Sequence, residues 1–154
     1  MLNPGDRAPN FSTPNADMQM VQLDQFLGRH HLVLYFYPKD DTPGCTLEAL
    51  EFTDLMPAFE AADARVLGVS MDPCVSHGAF RDKYGLTVNL LADIEGELCA
   101  AFGVLVEKTV RGERKKGIRR TTFVIDKEGI VRHVFADVKP KGHAQAVLDC
   151  VRAL

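Results

Sequence analysis

The sequence has no excess of positive charge, no apolar run long enough to cross a bilayer, no internal repeat or low-complexity tract, and no closely paired cysteines. Each absence excludes a class of function. With 18 Lys and Arg against 21 Asp and Glu, the formal net charge is −3, so the basic surface that nucleic acid or an anionic membrane demands is missing. The opening MLNPGDRAPNF lacks the basic start, apolar stretch and small-residue cleavage site of a secretory signal. No stretch approaches the roughly 20 apolar residues of a membrane span. A cytoplasmic location with no membrane or nucleic-acid partner is expected. Cys45, Cys74, Cys99 and Cys150 have none of the tight spacing of a zinc site, and a cytosolic chain of this size needs no disulfide framework. No metal is expected, and any disulfide is expected to be catalytic rather than structural. The C-x-x-C of a thioredoxin-type disulfide oxidoreductase is also missing, because Thr42 stands where its first cysteine belongs.

What is present suits one compact domain spanning residues 1–154, with 46% hydrophobic content to build its core. Residues 32–37 (LVLYFY) form a continuous β-prone run ending at Pro38, as in a central strand buried on both faces. Residues 46–56 carry helix formers with apolar Leu47, Leu50, Leu55 and Met56, after which Pro57 breaks or kinks the helix. Residues 65–71 (RVLGVSM) read as a second buried strand and residues 75–84 as a second helix. Parallel strands joined by a helix place the loops after both on one edge of the sheet, where α/β folds build their sites. A short strand is expected at 89–92, a short helix at 94–102, and a hairpin from 121–125 and 130–135 around DKEG. Val147, Cys150, Val151 and Leu154 recur at helical spacing in a last amphipathic helix. The fold class is therefore α/β, a mixed sheet between helices as in a thioredoxin-like fold.

Cys45 follows Thr42-Pro43-Gly44 at a helix start. A helix N-terminus or an adjacent cation lowers a thiol pKa from about 8.5 to roughly 3.5–7.5, so this position favours a nucleophilic thiolate. A buried, inert thiol is the plainer alternative. Thr42 has the residue type of an N-cap, its hydroxyl satisfying a helix-end amide or facing the sulfur three residues on; turn chemistry leaves both readings open.

The stretch Pro38-Lys-Asp-Asp-Thr42-Pro-Gly-Cys45 resembles the P-x-x-x-T-x-x-C signature of peroxiredoxins, and YFYPKDDTPGCTLEALEF resembles their bacterioferritin comigratory protein (BCP) or PrxQ subfamily. The likeness covers nearly the whole chain: GDRAPNF is similar to the family's opening, VLGVSMD to its second strand and turn, and RTTFVIDKEGIVRHVF to its late hairpin. It implies a thioredoxin-like domain of AhpC/TSA type with the family's N-terminal extension. It also implies a thiol peroxidase that reduces hydrogen peroxide and organic hydroperoxides without a cofactor. On this likeness Cys45 is the peroxidatic cysteine, Thr42 hydrogen-bonds the peroxide, Pro38 shields the sulfur, and Arg120 stabilises thiolate and leaving oxygen. Arginine suits that role because it stays charged and presents a planar fork of donors. Alternation sends Arg119 and Arg120 to opposite faces, and the family spacing before TTFVID selects Arg120. Glu48 matches the C-T-x-E-A pattern and either orients Arg120 or is an exposed first-turn carboxylate.

The chain departs from the subfamily at both usual resolving positions, which hold Leu50 and Arg81. Cys74, at the start of the second helix on the Cys45 edge, is a candidate resolving thiol and equally a packed helix-start residue. Cys99 and Cys150 read as core filler. The resemblance implies thioredoxin, glutaredoxin or a low-molecular-weight thiol as reductant, and a monomer or weak homodimer. The alternative function, a redox sensor or holdase on the same fold, would oxidise at Cys45 without rapid turnover. The run KTVRGERKKGIRR, residues 108–120, reads as a solvated loop whose charge is able to draw an acidic reductant or anionic peroxide towards Arg120. His30 and His31, adjacent at a strand end, point apart and have no further ligands for a metal.

Overall fold

A computed structural model describes residues 1–154. The chain opens with a small hairpin, β1 (Ser12–Pro14) and β2 (Met20–Gln22), and enters the main sheet at β3 (His31–Phe36). Helices α1 (Pro43–Asp54) and α2 (Met56–Ala61) lead to β4 (Ala64–Ser70), and α3 (Cys74–Tyr84) leads to β5 (Asn89–Ala92). Then come α4 (Glu97–Phe102), an outlying hairpin of β6 (Leu105–Val110) and β7 (Glu113–Ile118), the pair β8 (Thr121–Ile125) and β9 (Val131–Phe135), and α5 (His143–Arg152). The five-stranded sheet has the order β5-β4-β3-β8-β9, with β3, β4 and β5 parallel and β8 and β9 antiparallel to their neighbours. This is the expected mixed sheet of a thioredoxin-like fold.

The period of two in β3 divides the core. Val33 and Tyr35, with Tyr37 just beyond, face one layer with Phe52, Phe59, Phe80 and Val147. Leu32, Leu34 and Phe36 face the other, with Phe102, Val104 and Phe123. Gly68 of β4 is required here, because a Cβ on it would lie 2.7 Å from the Tyr35 hydroxyl.

Topology places three chain segments together. The parallel pairing of β3 with β4 puts the starts of α1 and α3 on one edge of the sheet. In the antiparallel β3–β8 pair, Phe36 lies opposite Thr121, so Arg120 arrives where the chain leaves β3 for α1.

Several sequence expectations change, among them the start of α4, which is Glu97 rather than the expected 94. α1 starts at Pro43, three residues before the expected 46, because proline's fixed φ suits the first helical turn and its missing N–H has no partner to lose there. For the same reason Pro57 lies in the first turn of α2 rather than only ending α1. The basic run is no loop: β6 and β7 pair from Leu105↔Ile118 to Val110↔Glu113 across Arg111-Gly112, both at positive φ as a tight hairpin turn needs. Leu154 lies beyond α5 and is exposed, so the helix buries Ala144, Val147, Leu148 and Val151 instead. The β1–β2 hairpin has no counterpart in the sequence reading. Its turn is held by the Asn15 side chain, whose Oδ1 accepts from the Asp17 and Gln19 amides at 3.0 Å each.

Candidate active site

Cys45 is the third residue of α1 and is only 1% exposed. Its sulfur accepts a hydrogen bond from Arg120 Nη2 at 3.3 Å, while Arg120 Nη1 donates to Glu48 Oε1 at 2.7 Å. One guanidinium thus bridges two side chains three residues apart on one helix face. Gly44 makes room for it, since a Cβ there would lie 3.3 Å from Arg120 Nη2 and 3.5 Å from Pro140 Cγ. Burial works against the charge of Arg120, but Glu48 and Cys45 outweigh it and hold the guanidinium above its ordinary range.

The exposed-carboxylate reading of Glu48 is overturned. It is 1% exposed, and its Oε2 has no protein partner. Burial pushes its carboxyl up from 4.5 to about 7, against the opposing pull of Arg120. Arg119 and Arg120 diverge: Arg119 lies at the surface in a two-pronged pair with Asp137, with both contacts at 2.7 Å.

Thr42 occupies the N-cap of α1, and its carbonyl accepts from the Thr46 amide at 2.8 Å. Its hydroxyl caps nothing, which removes one of the two readings. It donates instead to the Lys39 carbonyl at 2.9 Å, a local bond that threonine readily makes within a turn. Pro38 is exposed and lines a cleft of about 490 Å³ together with Val106, Lys108, Ile118, Arg120 and Val138. Basic, acidic and apolar side chains therefore meet in the cleft that Arg120 lines.

All four cysteines are free thiols. Cys74 is half-buried as the first residue of α3, on the same sheet edge as the start of α1. Cys99 is fully buried, and burial followed by the Asp93 carboxylate pushes its thiol up. Cys150 is half-buried on α5, where burial raises its thiol as well. Leu50 packs against the core, and Arg81 pairs with Asp17 at 2.9 Å and Asp82 at 3.0 Å. His30 bonds Asp63 at 2.8 Å, and His31 lies in β3.

A polar cluster beneath the loop between β3 and α1 escaped the sequence reading. Asp40 is buried and accepts from the Tyr37 hydroxyl at 2.6 Å, the Ser76 hydroxyl at 2.8 Å and His77 Nδ1 at 2.8 Å. Nε2 of the fully buried His77 donates to the Leu91 carbonyl at 2.8 Å. Burial opposes ionisation of Asp40, but the His77 and Tyr37 hydrogen bonds prevail and hold its carboxyl below the ordinary range. Next to it, Asp41 accepts from Lys83 at 2.7 Å and from the Tyr84 hydroxyl at 2.6 Å. The signal in the sequence was the pair of aspartates inside the signature, facing a Ser-His pair in the first turn of the next helix.

Comparison with known proteins identifies the family. Residues 4–134 match the AhpC/TSA family. Peroxiredoxin Bcp of Escherichia coli is 41% identical over 151 residues, covering 98% of this chain and 96% of that protein. Peroxiredoxin Bcp of Xanthomonas campestris is 48% identical over 124 residues, 80% of this chain and 78% of that one. Among solved structures, a cysteine-to-serine variant of Xylella fastidiosa PrxQ has a TM-score of 0.92 at 39% identity, covering 99% of this chain and 97% of its own. A structure of the Xanthomonas campestris bacterioferritin comigratory protein, described for its alkyl peroxide reduction, has a TM-score of 0.87 at 42% identity, with 93% and 90% covered. The chain belongs to the AhpC/TSA family, in its Bcp/PrxQ branch of peroxiredoxins.

Proposed function

We propose that this protein is a thiol-dependent peroxidase in which Cys45 attacks hydrogen peroxide and organic hydroperoxides. The observation that carries the reading is the guanidinium of Arg120, 3.3 Å from the sulfur and anchored 2.7 Å from Glu48. The Cys45 thiolate attacks the terminal oxygen of the hydroperoxide; an S–O bond forms and the O–O bond breaks. The sulfur is oxidised to sulfenic acid, and the departing alkoxide or hydroxide takes a proton from water. Negative charge passes from sulfur to oxygen in this step. A fixed cation reaching both, with the uncapped first turn of α1 beside it, stabilises that transfer more than it stabilises the resting site. Thr42 holds the peroxide by a hydrogen bond to its hydroxyl oxygen, Pro38 screens the sulfur from water, and Glu48 positions Arg120 without touching substrate.

The sulfenic acid is removed when a thiol attacks the sulfur, water leaves and a disulfide forms, which a second thiol then reduces. Thioredoxin, glutaredoxin or a low-molecular-weight thiol supplies these electrons, either directly or after Cys74 has formed the first disulfide. The basic β6–β7 hairpin beside the cleft favours an acidic reductant. We place the enzyme in the cytoplasm, as a monomer or weak homodimer of single-domain chains. No helix is long and apolar enough to cross a membrane.

One equivalent of peroxide in the presence of a sulfenic-acid trap is expected to label Cys45 alone by mass spectrometry. Cys45→Ser is expected to abolish turnover, and Cys99→Ser to retain it. Full activity in Cys45→Ser would refute the reading. A Cys45–Cys74 disulfide formed without the trap would assign Cys74 as the resolving thiol.

A further inference from the structure

The direction of the Thr42 hydroxyl is set from outside α1. The Lys39–Asp40 peptide is planar and trans, so its C=O and N–H point in opposite directions. Its N–H donates to Asp72 Oδ2 at 2.8 Å, and its C=O accepts the Thr42 hydroxyl at 2.9 Å. Asp72 is itself held. The Ser70 hydroxyl donates to the same Oδ2 at 2.7 Å, and the Asp72 amide donates back to Ser70 Oγ at 3.1 Å. On the other side, the Asp40 carboxylate is fixed by Tyr37, Ser76 and His77. The peptide is therefore gripped by its N–H and by the side chain that follows it, and its carbonyl has one direction available.

A hydroxyl has one proton and two lone pairs. With its proton committed to the Lys39 carbonyl, Thr42 has only lone pairs left to offer a substrate. We propose that Asp72 is a positioning residue that, by orienting the Lys39–Asp40 peptide, makes Thr42 a dedicated acceptor for the peroxide O–H. The inference rests on the reading that Thr42 contacts the peroxide. An acceptor there selects hydroperoxides, which carry an O–H, and aligns the terminal oxygen on the sulfur. A donor would bind the wrong end of the O–O bond equally well. Asp72 touches neither substrate nor sulfur, and its effect passes wholly through the peptide.

The test measures two second-order rates on the reduced protein: Cys45 oxidation by peroxide and Cys45 alkylation by iodoacetamide, which has no O–H to align. Asp72→Ala is expected to slow oxidation about tenfold, the worth of one misaligned hydrogen bond, and to leave alkylation within about twofold. Asp72→Asn keeps an acceptor for the Asp40 amide and is expected to restore most of the rate. In a Thr42→Val background, Asp72→Ala is expected to have no further effect. A parallel fall in alkylation would mean that Asp72 only supports the helix start, and would overturn the proposal. So would an undiminished Asp72→Ala effect in the Thr42→Val background. A Thr42→Val protein that oxidises at the full rate would instead defeat the underlying role of Thr42. Asp72→Ser, too short to reach the Asp40 amide, replaces the alanine variant if that fails to fold.

Discussion

Cys45 and Cys99 occupy equivalent positions with opposite chemical prospects. Each is the third residue of its helix, and they are 1% and 0% exposed. What differs is the charge facing each. Arg120 donates to the Cys45 sulfur, whereas at Cys99 the nearest charge is the Asp93 carboxylate, which accepts the Cys99 amide at 2.8 Å. Burial and then that carboxylate push the Cys99 thiol up. Helix position and burial are thus common to the two thiols, and the sign of the charged side chain beside the sulfur is what separates them.

Removing that cation tests the comparison most severely, because it turns the Cys45 environment into one like that of Cys99. Arg120→Met is expected to slow Cys45 oxidation by about 10²–10³, the usual loss when a donor to developing charge is removed. Arg119→Met, which breaks only the exposed Asp137 pair, is expected to stay within about twofold, since such surface pairs contribute little. Stopped-flow oxidation rates of the two variants check this. Equal losses would show that the cluster of positive charge matters, not the contact with sulfur.

The difference between the two cysteines was partly legible in the sequence. Strands β3 and β4 were readable as continuous β-prone apolar runs, the β8–β9 pair from the turn residues between its strands, and α5 from apolar residues at helical spacing. Spacing from a family signature singled out Arg120 over its neighbour. The β6–β7 hairpin was not legible, since its residues are mostly exposed and no apolar alternation marks the strands. Nor was the burial of Glu48, Asp40 and His77. A polar residue in a core looks in sequence like one on a surface until its partner is found, and here the partners lie 72 and 37 residues away.

A second contrast lies in the carboxylates. Asp93 accepts the Leu98 and Cys99 amides, whereas Glu48 turns to the arginine and is held up to about 7 by burial. Between roughly pH 4.5 and 7 folded Glu48 keeps a proton that the unfolded chain has lost. Stability from this group is therefore full below pH 4.5 and lost as pH rises through about 7. Burial and then Arg120 depress His143 to about 4, and its contribution runs the other way, lost as pH falls. Comparing wild type with Glu48→Gln cancels the His143 slope. Denaturant melts from pH 4 to 8 are expected to show wild type losing on the order of 2–3 kcal/mol relative to the glutamine variant across the window. A flat difference would mean that Glu48 is ionised throughout.

The smallest predicted effect concerns the residue before each cysteine. Leu98 precedes Cys99 with a full side chain, whereas Gly44 precedes Cys45 and leaves the space that Arg120 enters. Its φ is ordinary for an L residue, so Gly44→Ala incurs no backbone strain, and alanine's better helix propensity contributes up to about 1 kcal/mol. The added Cβ sits 3.3 Å from Arg120 Nη2, close enough to push the guanidinium a few tenths of an ångström while Glu48 holds its other nitrogen. Stability is expected to change by no more than about 0.5 kcal/mol, and oxidation of Cys45 to slow about threefold through the lengthened contact with sulfur. An unchanged rate would show that the guanidinium acts as a diffuse cation, so that its charge rather than its aim separates Cys45 from Cys99.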